Sequence, residues 1–198
     1  MRTLAAFGLL ALVLALAGCS PAPAPLPTPV RSPVATRDPS APVTPEPSPQ
    51  SDVVEDAALL GILPAEVDGV PVLPEPASFT DAVRFPDFVA NVEAAAFAIA
   101  VRDPDLASGV VARLRPGVFS DAFYRDWRSS YDEGACSQAG GVRGRAEVQL
   151  GGRTVYITTC GGGLLVYHAH LPERDVVVSV FSVGERRLGE RLMAELRP

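Results

Sequence analysis

The sequence predicts an α+β domain: a helical N-terminal half, a four-stranded antiparallel meander, and a C-terminal amphipathic helix covering the sheet. Three observations carry this reading. Apolar residues recur at three- and four-residue spacing between about 52 and 132. The period changes to two after Val142, with glycine turns between the runs. Helical spacing then returns at Leu188, Leu192 and Leu196. These periods separate helix from strand because side chains on one face recur every 3.6 residues in the first and every two in the second.

Asp52 followed by Glu55 has the spacing of a helix start, and Val53, Ala57 and Leu60 continue one face until Gly61 and Pro64 stop it. A second helix is expected from Pro86, with Phe88, Val92, Ala95, Ala96 and Ile99 in register to about Ala100. The run "FAIAV" reads equally as a buried strand, since periodicity does not separate the two in a continuous apolar stretch. A third helix is expected in "DPDLASGVVARLRPG", capped by Asp103, facing inward through Leu106, Val110 and Leu114, and ended by Pro116-Gly117. A strand from Ser108 to Arg115 is the alternative. A fourth helix runs from Ser120 to about Asp132. It carries Phe119, Phe123, Trp127 and Tyr131 at four-residue spacing, a stripe that suits either core or the wall of a ligand groove.

The meander follows. Val142, Gly144, Ala146, Val148 and Leu150 alternate with Arg143, Arg145, Glu147 and Gln149. Gly151-Gly152 turns into "RTVYITTC", Gly161-Gly162-Gly163 into "LLVYHAH", and "PERD" into "VVVSVFSV". Ser182 and Glu185 stand at capping-box spacing before the terminal helix.

Composition divides the chain into 1–18, 19–50 and 51–198. Residues 20–50 hold 11 prolines in 31 positions. Such a stretch buries too little apolar surface to offset its ordering entropy and favours extended polyproline conformations. It reads as a spacer. Residues 51–198 have the length of one domain. The net charge is −6 and every basic side chain is arginine. An acidic chain with dispersed arginines argues against nucleic-acid binding, which wants a concentrated basic face.

The first residues have an export pattern: a cationic Met1-Arg2-Thr3, then an uncharged apolar run from Leu4 to Ala17. That run is shorter than the roughly 20 residues a bilayer span needs. It ends in Leu16-Ala17-Gly18-Cys19, a leucine and two small residues before a cysteine. The segment resembles the signal peptide and lipobox of bacterial lipoproteins. The resemblance implies cleavage before Cys19, a covalent diacylglycerol on its sulfur, and an N-acyl chain on the freed amino group. It also implies a lipid-anchored protein on the extracytoplasmic face of the bacterial cell membrane. No other cofactor is expected. Beyond the membrane, a cell-envelope protein or glycan is the expected kind of partner.

With Cys19 taken by lipid, Cys136 and Cys160 remain as a pair, and an exported chain favours a disulfide between them. Chemistry is less legible. His168 and His170, two apart on a strand, share a face and are weak metal candidates, with Glu173 or Asp175 as a carboxylate. The spacing is loosely similar to that of cupins, but no later Glu or His follows, and the meander is too short for a jelly roll. The glycine runs match no phosphate loop, no GxSxG occurs, and adjacent Asp132 and Glu133 do not face one way on a helix. Trp127, Arg143 and Arg145 are weak ligand-binding candidates, with Arg153 added to one arginine face. A binding or scaffolding domain is therefore expected. A small-molecule or lipid carrier or sensor around Trp127, and a metal-dependent enzyme using His168 and His170, are the alternatives.

Overall fold

In the computed structural model, which describes residues 52–197, the stretches expected to be helical between 92 and 114 are strands. The signal segment, Cys19 and the proline-rich spacer lie outside the described residues. In chain order the strands are β1 (Val54–Glu55), β2 (Glu66–Val67), β3 (Val70–Pro71), β4 (Leu73–Pro74), β5 (Val92–Arg102), β6 (Asp105–Leu114), β7 (Val142–Leu150), β8 (Arg153–Cys160), β9 (Leu165–Leu171) and β10 (Val176–Val183). The helices are α1 (Pro76–Ala82), α2 (Pro86–Asn91), α3 (Asp121–Ser137) and α4 (Leu188–Ala194). A 3-10 turn spans Ala57–Ile62.

Eight strands form one mixed sheet in the order β1-β5-β6-β10-β9-β8-β7, with β4 also pairing on β5. The short β1 runs parallel to β5; the other pairs are antiparallel. The fold is mostly β. This corrects the expectation of a helical N-terminal half joined to a separate four-stranded meander: β7 to β10 continue through β6 into β5 and beyond.

The physical reason lies in burial on both faces. The sequence of β5 is VEAAAFAIAVR, and its alternate alanines go to opposite sides: Ala94, Ala96 and Ala98 to one core, Ala95 to the other. A strand covered on both sides reads as a continuous apolar run, which fits a helical template as well as an extended one. Only the first part of the expected second helix exists, as α2. Pro104, expected to open a third helix, sits instead in the turn between β5 and β6, next to Asp103. Gly109 of β6 shows how closely this strand meets β10. A Cβ there would overlap the Ser179 carbonyl oxygen.

The two faces carry two cores. One packs β5, β6, β9 and β10 against α4, the 3-10 turn and the β2-β3 hairpin, through Ile62, Val111, Tyr167, Val178, Leu188 and Met193 among others. The other lies under α1 to α3 and includes Val110, Leu114, Tyr124 and Val177. Val176, Val177, Val178 and Val180 are all fully or almost fully buried. Each contributes roughly 1.5–3 kcal/mol relative to exposure.

The terminal helix does pack on the sheet, but not through the expected cap. Ser182 lies in β10, donates to the Leu106 carbonyl at 2.9 Å and accepts from the Gly189 N–H at 3.1 Å. Glycine is required at 189 because a Cβ would sit 2.7 Å from that of Ser182 and 2.9 Å from the Tyr167 ring.

Candidate functional site

Helix α3 places the polar groups that matter. The Ser120 side chain accepts from the Phe123 N–H at 3.1 Å and caps the helix. Phe123, Trp127 and Tyr131 then turn toward the sheet, and the second core absorbs them together with Phe119. Trp127 stands with its ring centroid 6.1 Å from both Phe88 and Phe123. It is a core side chain with its polar atom spent: Nε1–H donates to Ser179 Oγ at 3.0 Å. A disulfide joins Cys136, in the last turn of α3, to Cys160, the final residue of β8. It ties the helix end to the sheet.

Between α3 and β9 a chain of hydrogen bonds crosses the interface. Ser179 Oγ lies 2.8 Å from His168 Nδ1, and His168 Nε2 lies 3.1 Å from Asp132 Oδ1. Thr158 Oγ1 donates to Asp132 Oδ2 at 2.7 Å, and Arg145 Nε donates to the same oxygen at 3.3 Å. Tyr131 donates to the Ser179 carbonyl at 3.4 Å and meets the His168 ring edge-on. Ser179 and His168 have no exposed surface, and Asp132 is 1% exposed.

The direction of the chain follows from Asp132. An ionised carboxylate only accepts, so Nε2 of a neutral His168 must carry the proton and donate it to Asp132. Nδ1 must then accept from Ser179 Oγ, which in turn accepts from the Trp127 indole. Electrostatics agree with this. Burial pushes the His168 pKa below 6.5, against the opposing pull of Asp132. Burial alone would raise Asp132, but hydrogen bonds from His168, Thr158 and Arg145 outweigh it and hold the carboxyl below 3.8. At neutral pH the pair is a neutral imidazole beside a carboxylate.

Serine, histidine and aspartate thus stand in line, but in the wrong order for acyl transfer. The serine is the innermost group, closed in by Trp127. The aspartate is at the solvent end. A nucleophile needs the reverse arrangement, with its oxygen presented to substrate.

Above Asp132 opens a cleft of about 430 Å³ between α3 and the outer strands β7 and β8. Arg125, Arg128 and Ser129 of α3, Arg145 and Glu147 of β7, and Tyr156 of β8 line it, with His168 and Asp132 reaching its floor. Its volume falls in the range of small-molecule sites. Arg128 lies over the Tyr156 ring, 3.6 Å from the centroid, and 4.9 Å from the Tyr124 centroid. Burial raises the Tyr124 pKa far above its ordinary value, so the phenol stays neutral beside it.

The expected site residues are dispersed by this arrangement. Arg145 lines the cleft; Arg143 lies at the bulge between Val142 and Gly144, exposed and outside the cleft lining. Arg153 is not on the same face: it pairs with Leu150 in register and donates to the Leu196 carbonyl at 2.8 Å. His168 and His170 do share a face, and it is the inner one. His168 goes to Asp132, whereas His170 stacks on Phe119 with centroids 3.6 Å apart. Among the described residues no group of three or more His, Cys, Asp or Glu side chains is placed to hold a metal.

Reading the sequence missed the pairing of His168 with Ser179, and the signal was present. "PERD" as a turn pairs Leu171 with Val176, which sets His168 opposite Ser179. A lone serine inside VVVSV was the second cue. The chain matches no protein-family model, none of the curated proteins and no solved structure.

Proposed function

We propose that this chain is a lipid-anchored, extracytoplasmic binding protein whose domain takes a small ligand in the cleft between α3 and the outer strands. The observation that carries the binding role is the cleft itself. Its floor holds a buried, ionised carboxylate whose every partner is accounted for, and its walls carry polar groups that still have hydrogen-bonding capacity. The fixed floor is the kind of pre-organisation that favours binding over folding upon contact. The lipobox at Cys19 and the proline-rich stretch support the anchor and the spacer. The disulfide fits an oxidising compartment. The inverted order of Ser179, His168 and Asp132 favours binding over hydrolysis.

The test is occupancy of the cleft. Ser129→Trp, at a half-buried position of α3 that lines the cleft and takes no part in the hydrogen-bonded chain, puts an indole into the cleft. A panel of sugars, peptides, lipids and anions is screened by thermal shift on the full chain and on this variant. A ligand that stabilises the wild type and not Ser129→Trp is expected. Equal stabilisation of both contradicts the cleft as the site.

A further inference from the structure

We propose that the ligand carries a phosphoryl group, held by Arg125, Arg128 and Arg145. This deepens the binding reading and rests on it.

The chain as a whole is acidic, with a net charge of −6, and several guanidiniums of the domain are committed to carboxylates outside the cleft. Arg84 pairs with Asp81, Arg113 with Asp56, Arg186 with Asp68 and Asp105, and Arg187 with Glu190. Arg125 and Arg128 are among the guanidiniums with no carboxylate partner in the described residues, and these two line one cleft together with Arg145. Three arginines there face two carboxylates, Asp132 and Glu147, and His168 adds no positive charge. In an acidic protein this cleft is a local excess of positive charge.

The three arginines are set up differently. Arg128 is held flat by Tyr156 through the face of its guanidinium. Its one hydrogen bond runs from Nε to the Tyr124 carbonyl at 3.4 Å, and both terminal nitrogens remain for an oxyanion. A pre-oriented guanidinium fork of this kind matches two oxygens of one group. Arg125 is exposed. Arg145 is half-exposed and touches the buried Asp132 only through Nε, leaving its terminal nitrogens for a ligand. If it turns further toward an incoming oxyanion, Asp132 keeps the hydrogen bonds from His168 and Thr158. The buried chain therefore lets Arg145 be lent out without stranding a buried charge.

A phosphoryl group offers up to three oxygens and close to two charges, which suits three guanidiniums better than a single carboxylate does. The cleft is larger than such a group, so the remainder of an organic phosphate has room.

The experiment is calorimetric titration of the full chain at low salt with inorganic phosphate, with glycerol phosphate, and with phosphatidylglycerol vesicles against phosphatidylcholine vesicles. Saturable binding of a phosphate probe is expected. Arg125→Glu should weaken it about tenfold or more, and Arg145→Gln by a similar factor. Arg125 has no partner to lose, so its variant should fold as the wild type does. Binding confined to phosphatidylglycerol vesicles, and sensitive to Arg125→Glu, supports the proposal and names a lipid headgroup as the source. Binding of the soluble probes names a free organic or inorganic phosphate. No saturable binding of any probe, or binding unchanged in both variants, overturns it. An uncharged ligand that still stabilises the wild type and not Ser129→Trp would leave the cleft as a binding site and remove the phosphoryl group as what it recognises.

Discussion

Asp132 is the residue on which the site turns. It is almost completely buried yet ionised, because a hydroxyl, an imidazole N–H and a guanidinium converge on its two oxygens. His168 is the complementary case, kept neutral by burial although a carboxylate touches it. Its depressed pKa makes a signed prediction. In the unfolded chain the imidazole takes a proton near pH 6.5; in the native protein it does not. Stability is therefore fully present above about pH 6.5 and falls as the pH drops, by at most about 1.4 kcal/mol per pH unit for one histidine. His170, also lowered by burial, adds a contribution of the same sign. Asp132 continues the loss below about pH 4. Urea midpoints followed from pH 7 to pH 5 should fall in the wild type. The slope should be shallower in His168→Gln, whatever its stability at pH 7. Equal slopes would contradict a neutral, buried His168.

At the scale of elements, α3 is the part that joins the sheet to the cleft. Aromatic side chains dock it along its length, Trp127 links it to β10, and the disulfide pins its end to β8. Reduction should cost about 3.5 kcal/mol in the chain-entropy account for a loop with a sequence separation of 24. The loss should be local first: hydrogen exchange should quicken in the last turns of α3 before the central strands. Unchanged exchange in α3 after reduction would show that the aromatic contacts alone hold it. This helix was legible from its cap at Ser120 and its four-residue aromatic spacing. Strands β5 and β6 were legible only in part, as the alternatives to helices at "FAIAV" and from Ser108 to Arg115. Their alanine-rich and valine-rich runs satisfy every period at once, and only burial against helices on both faces makes them extended. The strands from 142 to 183 were legible because Arg, Glu and Gln alternate with apolar residues in the outermost one. Their membership of a wider sheet was not, since β6 pairs with β10 across about 70 residues of chain.

For the whole molecule, the sequence says most about the ends and the structure says most about the middle. The disulfide was readable by counting cysteines once Cys19 was set aside. The cleft was not readable, because Arg125, Arg128, Asp132, Arg145 and Thr158 come from three elements whose meeting depends on how α3 docks. The two kinds of information meet in one claim: a cleft-bearing domain held at a membrane through Cys19. Intact-mass analysis of the protein recovered from the membrane fraction of the cell that makes it tests that claim most directly. The predicted result is a chain that begins at Cys19, carries a diacylglyceryl group and has no alkylatable thiol before reduction. A membrane-bound chain that still carries residues 1–18 and no lipid, or one released unmodified into the soluble fraction, would contradict it.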